Sequence, residues 1–161
     1  MIKILFVCHG NICRSPMAEF IFKDMVKAQG LSDHFQIASR ATSTEEIWNG
    51  IGSLVYPPAK RELAKHGISC DGKRATLLQK GDYMHYDLLI GMDSANIRNM
   101  HRMLGGDKEG KIHKLLEYAG RNGDISDPWY SDRFDIAYRD IYEGCEGLLN
   151  YILNSGMLEN N

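Results

Sequence analysis

The sequence predicts a single α/β domain over residues 1–161, with an open parallel four-stranded sheet and helices on both faces. Two apolar segments without clear alternation, residues 2–7 and 86–92, are typical of strands covered on both faces. Segments with helical spacing of apolar residues follow both of them, and strands that alternate with helices favour a parallel sheet. The length of 161 residues suits one domain with a sizeable core.

The other elements follow from local signals. Gly30 ends the first helix, and Gly105 ends a helix that Asp93 or Ser94 caps. Thr, Ser, Gly and Pro are frequent in residues 40–58, which predicts a long surface loop. The predicted elements are helices over about 15–29, 59–66, 94–104 and 134–153, strands over 35–39 and 112–115, a possible turn at 77–78 and mostly loop over 116–132.

The first twenty residues place a strand, a short loop and a helix around Cys8. Unpaired N–H groups at a helix N-terminus form an anion site, and we expect Ser15 at the N-cap with Pro16 in the first turn. Gly10 permits a positive φ that turns N–H groups inward, and Arg14 adds a planar fork of donors. These residues predict a phosphate cradle that favours a Cys8 thiolate, although the same pattern allows a buried cysteine at a strand end.

Composition excludes several function classes. The formal net charge of −2 gives no sign of a nucleic-acid or membrane-binding field. No apolar segment reaches about 18 residues and no signal peptide is recognisable, so a cytoplasmic location is expected. The four cysteines lack the spacing of a disulfide scaffold and the six histidines are scattered, so we predict no metal and no cofactor.

The segment VCHGNICRSPMAE resembles the phosphate-binding loop of the low-molecular-weight protein tyrosine phosphatases. MDSANIRNM also resembles a segment of that family, and the resemblance covers nearly the whole chain. It implies the predicted fold, a phosphatase acting as a monomer on phosphotyrosine-containing proteins, and hydrolysis of small aryl phosphates. It further implies that Cys8 is the nucleophile and that Arg14 clamps the transition state.

A cysteine-based phosphatase also needs a general acid for the leaving oxygen. Asp127 precedes Pro128, which disfavours helical geometry at the aspartate, and Trp129 and Tyr130 follow as apolar walls. Such an Asp-Pro pair is also typical of an ordinary turn. The resemblance implies that Asp127 first donates a proton to the tyrosine oxygen and then directs water onto the cysteinyl-phosphate.

The resemblance assigns roles to several further residues. Asn11 fixes the shape of the loop with support from Ser39 and His66, and Ser15 stabilises the thiolate. Cys13 forms a reversible disulfide with the nucleophile in many members of the family, whereas a small buried side chain is the alternative interpretation. The residues implied to bind the substrate are His9, Gly10, Asn11, Ile12, Cys13, Ser15, Trp48, Trp129 and Tyr130.

The chain departs from the family pattern at several positions. His9 stands where relatives often have an apolar residue, and Trp129 replaces a frequent tyrosine. Glu45 and Glu46 stand where many relatives place an aromatic residue, and acidic residues there disfavour acidic peptides. Trp48 is expected to compensate partly as a wall of the site.

Three other functions compete with the tyrosine phosphatase. A protein arginine phosphatase tends to carry threonine where this loop has Ile12. An arsenate reductase uses a relay of closely spaced cysteines, which Cys70 and Cys145 do not provide. A non-catalytic phosphotyrosine-binding module would keep the cradle while Asp127 lay away from it.

Overall fold

The computed structural model describes residues 1–158, which form one layered α/β structure. Two 3₁₀ helices, Ser32–His34 and Leu115–Ala119, lie among the regular elements. The strands are β1 Ile2–Cys8, β2 Phe35–Ala41, β3 Ile47–Trp48, β4 Ile51–Gly52, β5 Leu88–Gly91 and β6 Ile112–Lys114. The α-helices are α1 Arg14–Ala28, α2 Pro57–Ala64, α3 Asp82–His85, α4 Ser94–Leu104, α5 Pro128–Ser131 and α6 Phe134–Asn154.

Four of the strands form a parallel sheet in the order β2-β1-β5-β6, which confirms the predicted fold class. The strand order reverses at β1, because β2 lies on one side of it and β5 on the other. Cys8 is the last residue of β1 and pairs with Ala41, the last residue of β2. Ligands of open parallel sheets bind beyond the carboxyl ends of the strands at this kind of reversal.

Alternate residues of the central strands pack into two separate hydrophobic clusters, because side chains of a strand point to opposite faces. Phe6 and Ile90 face the larger cluster with α1, α2 and α6. Leu5, Val7 and Leu89 face the smaller cluster, which contains Met100 and Leu104 of α4. The sheet is therefore covered on both faces, as the two apolar segments without clear alternation predict.

The segment 40–58 is not a plain loop, because it contains the antiparallel hairpin of β3 and β4. Asn49 and Gly50 connect the two strands with φ values of 51° and 77°, the signature of a tight hairpin turn. A Cβ at Gly52 would lie 1.9 Å from the carbonyl oxygen of Ala75, so only glycine allows β4 to approach that segment so closely. Sequence periodicity missed the hairpin because each of its strands has two residues.

Several element boundaries differ from the predicted ones. Helix α2 begins at Pro57 instead of residue 59, since proline suits the first helical position. Leu77 forms an isolated bridge with Ala41 instead of a turn. The segment 116–132 includes most of the second 3₁₀ helix and α5, which are too short for a periodicity signal.

Helix α4 is capped as predicted. The Asp93 side chain accepts a hydrogen bond from the Asn96 backbone N–H in a reciprocal capping box, and Gly105 follows with a φ of 77°. Among residues 1–158, no helix has both the length and the apolar character needed to cross a membrane.

Candidate active site

A pocket opens at the carboxyl end of β1, where the loop after Cys8, the β3–β4 region and the segment before α6 meet. Residues from all three segments form its walls and its floor. It is lined by Cys8, His9, Gly10, Ile12, Cys13, Arg14, Glu45, Glu46, Asp127, Trp129 and Tyr130. The structure therefore brings together residues that lie more than one hundred positions apart in the sequence.

The Cys8 sulfur lies among three hydrogen-bond donors or potential donors. The backbone N–H groups of Asn11 and Ser15 point to it at 3.3 and 3.4 Å, and the Ser15 hydroxyl lies 3.0 Å away. Cys8 is almost completely buried, and the N-terminus of α1 lies beside it. Two backbone N–H groups and a hydroxyl of the same loop therefore converge on this one sulfur.

Ser15 does not cap α1, which corrects the expectation from the sequence. The helix begins at Arg14, and Cys13 occupies the cap position without a side-chain cap bond. The Ser15 hydroxyl instead lies 2.7 Å from the Asn11 side-chain nitrogen and 3.0 Å from the sulfur of Cys8. Its hydrogen-bonding capacity is used inside the site.

Asn11, and not Gly10, supplies the left-handed backbone conformation of the loop, with a φ of 59°. Asparagine tolerates this conformation better than most residues, because its short polar side chain forms local hydrogen bonds. Its amide nitrogen donates to Ser15 and, at 2.9 Å, to Ser39, and its amide oxygen accepts from the Thr76 backbone N–H at 3.0 Å. Asn11 therefore ties the loop to two neighbouring segments.

Arg14 is 3% exposed, and its guanidinium is held from several directions. Nη1 donates to Asp93 Oδ2 at 2.7 Å and to the Ile125 carbonyl oxygen at 2.8 Å, while Nη2 lies 3.5 Å from Asp127 Oδ2. Burial alone lowers the pKa of Arg14, but the charges of Cys8, Asp93 and Asp127 outweigh it and raise the pKa. The cation is oriented towards the pocket before any ligand binds.

Asp127 lies at the other side of the pocket, in the extended conformation that its neighbour Pro128 favours. Its Oδ1 accepts a hydrogen bond from the Trp129 backbone N–H at 3.1 Å. The Trp129 ring packs on Tyr56 with centroids 4.8 Å apart, and Tyr130 is 86% exposed at the rim. The carboxyl group is thus held towards Arg14, with aromatic rings beside it.

A buried network that sequence analysis missed continues from Ser39. The Ser39 hydroxyl donates to Glu19 Oε1 at 2.6 Å, and Glu19 Oε2 accepts from Lys23 at 2.6 Å. Lys73 lies 3.7 Å from Glu19 Oε1 and donates to the Ser39 carbonyl oxygen at 3.0 Å. Burial lowers the pKa of Lys73, and Glu19 opposes this effect. One signal was available, because Glu19 interrupts the apolar face of α1.

Two predicted site residues lie elsewhere. His66 does not support Asn11, because its ring stacks on Tyr138 with centroids 3.7 Å apart and its Nε2 lies 3.4 Å from Glu62. Trp48 is 71% exposed on β3 and does not line the pocket. Trp48 therefore does not serve as a wall of the pocket.

The remaining walls combine apolar and acidic side chains. Ile12 and Cys13 lie on the loop side, where burial, together with the charges of Cys8 and Asp127, raises the pKa of Cys13 well above that of an ordinary thiol. His9 Nε2 forms an ion-pair contact with Glu45 at 3.0 Å. All four cysteines are free thiols.

The donor set of the pocket suits an anion. N–H groups point to the sulfur and a guanidinium lines the same pocket, whereas metal ions need clustered oxygen, nitrogen or sulfur ligands. Within residues 1–158, no group of three or more His, Cys, Asp or Glu side chains is arranged to hold a metal ion. A tetrahedral oxyanion such as phosphate fits the arrangement at the loop.

The chain is similar to known proteins in sequence and in fold. The low molecular weight protein-tyrosine-phosphatase PtpA of Staphylococcus epidermidis is 33% identical over 160 residues, covering 99% of each chain. The crystal structure of YfkJ from Bacillus subtilis is similar with a TM-score of 0.90 and 36% identity, covering 96% of each chain. The Drosophila arginine phosphatase DARP has a TM-score of 0.83 and 29% identity, covering 93% of this chain and 97% of its own.

The model of the family described as low molecular weight phosphotyrosine protein phosphatase matches residues 3–157, nearly the full length. The matched residues contain the loop after Cys8, Arg14 and the Asp127 segment. The chain therefore belongs to the low molecular weight phosphotyrosine protein phosphatase family.

Proposed function

We propose that the protein is a cysteine-dependent phosphatase that hydrolyses phosphotyrosine in proteins, and also small aryl phosphates. The observation that carries the proposal is the convergence on one pocket of the Cys8 sulfur, the buried Arg14 guanidinium and the Asp127 carboxyl group. A nucleophile, an anion clamp and an acid within one cavity are the parts that phosphoryl transfer through a covalent intermediate requires.

In the first half-reaction, the Cys8 thiolate attacks phosphorus, so that an S–P bond forms while the P–O bond to the aryl group breaks. Protonated Asp127 gives its proton to the leaving oxygen. The N–H groups that surround Cys8 and the Arg14 guanidinium stabilise the charge on the equatorial oxygens, because they are oriented before the reaction begins.

In the second half-reaction, Asp127 accepts a proton from water as the water attacks the cysteinyl-phosphate. The S–P bond breaks, inorganic phosphate leaves and the Cys8 thiolate is restored. The Ser15 hydroxyl, 3.0 Å from the sulfur, stabilises the thiolate as the leaving group. Cys13, which lines the same pocket, is the thiol that would condense with an oxidised Cys8 to give a reducible disulfide.

A protein arginine phosphatase is the second candidate, because the Drosophila arginine phosphatase shares the fold. One observation in the pocket favours it, since the Glu46 carboxylate in the wall could accept N–H groups of a guanidinium. The apolar Ile12 side chain and the aromatic rings of Trp129 and Tyr130 favour a phosphorylated phenol instead. We therefore place phosphotyrosine first.

The other two alternatives have less support. An arsenate reductase relay would need Cys70 or Cys145 near the pocket, but Cys70 does not line it and the Cys145 sulfur faces the Ala18 carbonyl oxygen in the core. A binding module without catalysis would hold Asp127 away from the cavity, whereas Asp127 lines it.

The test is hydrolysis of p-nitrophenyl phosphate in the presence of EDTA by the wild type, Cys8→Ser and Asp127→Ala. We expect metal-independent turnover that Cys8→Ser abolishes and Asp127→Ala reduces by about 10²- to 10⁴-fold, the usual contribution of a positioned acid. A parallel assay with phosphotyrosine and phosphoarginine peptides decides between the two phosphatases. Binding of phosphate without turnover would contradict the proposal.

A further inference from the structure

The β3–β4 side of the pocket mouth is acidic. Glu45 and Glu46 both line the cavity, and the Glu45 side chain is 70% exposed beside His9. The Glu46 side chain lies against the loop after Cys8, since its Cγ is 3.5 Å from the point where a Cβ added to Gly10 would lie. Both residues therefore contribute acidic side chains to the lining of the pocket that contains Cys8 and Arg14.

These two negative charges are not balanced within the site. His9 pairs with Glu45 and can compensate one carboxylate at most. Within the described part of the chain, the Glu46 carboxylate has neither a hydrogen-bond partner nor an ion-pair partner. Its charge is nevertheless close enough to the loop to contribute to the raised pKa of Cys13, after burial and the charges of Cys8 and Asp127. An unpaired carboxylate thus faces the entrance of an anion site.

Two aromatic side chains of the same pocket also suit a cation. Trp129 and Tyr130 line the pocket and are 53% and 86% exposed. Packing on Tyr56 holds the Trp129 ring in place. Aromatic faces attract lysine and arginine side chains, and carboxylates do the same by direct charge attraction. An acidic side chain would be repelled by Glu46 and would gain nothing from the rings.

We propose that this pocket selects phosphotyrosine segments that carry a lysine or arginine beside the phosphotyrosine, and that Glu46 is the principal specificity-determining residue. The inference rests on the proposed phosphatase function and deepens it by naming the substrate class. The phosphate binds at the Arg14 floor, while the flanking cation lies between Glu46 and the aromatic wall.

The size of the expected peptide preference is limited, because the contacts that produce it are partly exposed to solvent. Partly exposed ion pairs and cation–π contacts each give only a small gain, so together they correspond to about a three- to tenfold preference. Because these contacts are at the rim, the preference should shrink as salt concentration rises.

The experiment uses two phosphotyrosine peptides of equal length, with lysine or with glutamate on both sides of the phosphotyrosine. Dissociation constants are measured by calorimetry on Cys8→Ser, and kcat/KM on the wild type. Each measurement gives a ratio between the lysine peptide and the glutamate peptide, and both ratios are determined again with Glu46→Gln and Glu46→Lys. The matched control is Glu146→Gln, which removes the same charge from an exposed position of α6 outside the pocket. Hydrolysis of p-nitrophenyl phosphate, which has no flanking residue, reports on the phosphatase function separately.

We expect the lysine peptide to be preferred by about three- to tenfold, the preference to fall by at least half in Glu46→Gln and to invert in Glu46→Lys. Glu146→Gln should keep the wild-type ratio. Equal affinity for both peptides, or an undiminished preference in Glu46→Gln, would overturn the inference. If p-nitrophenyl phosphate is not hydrolysed, the phosphatase proposal fails, while the binding ratio on Cys8→Ser still decides the selectivity.

Discussion

Asn11 and Ser39 are joined by a hydrogen bond of 2.9 Å that holds the loop after Cys8 against β2. The single Ser39 proton goes to Glu19 at 2.6 Å, so the Ser39 oxygen must accept from the Asn11 amide. The second N–H of that amide goes to Ser15, which leaves the Ser15 proton for the Cys8 sulfur at 3.0 Å. The other acceptor near Ser15, the Arg40 carbonyl oxygen, is farther away at 3.5 Å. Because an amide nitrogen can only donate, Asn11 directs the Ser15 proton to the nucleophile, and Ser39, Glu19 and Thr76 hold the Asn11 amide in place.

Replacing Ser39 tests this directional network. We expect Ser39→Ala to lower the free energy of unfolding by about 1–3 kcal/mol, because an N–H of Asn11 and an oxygen of Glu19 lose their partner in the interior. The value of kcat on p-nitrophenyl phosphate should fall as well, because Asn11, which donates to Ser15, loses one of the contacts that hold it in place. Urea denaturation and steady-state kinetics measure the two effects.

The control for this experiment is Ser155→Ala, which removes a hydroxyl that donates to the Ile152 carbonyl oxygen at the exposed end of α6. We expect a change within about 0.5 kcal/mol, as is usual for surface substitutions. A Ser39→Ala protein as stable and as active as the control would contradict the network.

Asn11 combines a positive φ with three hydrogen bonds, and two substitutions separate these roles. Both Asn11→Gly and Asn11→Ala remove the amide, so both should lose activity. Only glycine adopts the left-handed conformation without strain, so Asn11→Ala should be less stable than Asn11→Gly by about 1–2 kcal/mol. Thermal and urea unfolding check the difference, and equal stability would show that the loop does not need this conformation.

Asp93 holds Arg14 with one oxygen and caps α4 with the other, at 2.7 Å in both contacts. Asparagine caps helices as well as aspartate does, so Asp93→Asn should retain the stability of α4, whereas Asp93→Ala should lose about 1 kcal/mol. Both variants should lower kcat by about 10- to 100-fold, because the Arg14 fork loses its charged anchor. If Asp93→Asn has the kcat of the wild type, Asp93 does not position Arg14 for catalysis.

The raised pKa of Cys13 predicts a pH dependence of labelling. Burial is its largest cause and persists in Cys8→Ser, so Cys13 should stay a neutral thiol through neutral pH and become a thiolate only at higher pH. In Cys8→Ser, the midpoint of Cys13 labelling by iodoacetamide should therefore lie well above about 8.5, the value for an ordinary thiol.

Glutathione provides the reference for that measurement, and peptide mass spectrometry separates Cys13 from Cys70 and Cys145. Restricted access lowers the labelling rate at every pH but does not move the midpoint, so the midpoint is the informative quantity. A midpoint at or below that of glutathione would contradict a buried, negatively surrounded thiol.

Much of the fold could be predicted because long elements repeat their pattern. Strands β1 and β5 are predominantly apolar segments, and α1, α4 and α6 are long enough for helical periodicity. Hydrophobic periodicity is lost in elements of two to four residues, which is why the β3–β4 hairpin and α5 were missed. Predicted boundaries differ most at these short elements.

The candidate site divides in a similar way. Cys8 and Arg14 stand in a distinctive local motif, whereas the family resemblance singled out Asp127 from an Asp-Pro pair that is also typical of an ordinary turn. The structure brings all three residues to one pocket. His66 and Trp48 carried weaker local signals, and the structure places both outside it. Local sequence cannot tell which way a histidine at the end of a helix points, because packing against Tyr138 decides it.

The sequence by itself determined the strands and helices of the sheet and the strand–loop–helix unit around Cys8, because these depend on neighbouring residues. The resemblance to a family added the position of an acid far along the chain. Only the tertiary structure decided which residues complete the site. Glu19, Lys73, Asp93 and Thr76 enter it through contacts between segments that are distant in sequence. Such contacts depend on how helices pack on the sheet, and no local pattern of residues records that arrangement.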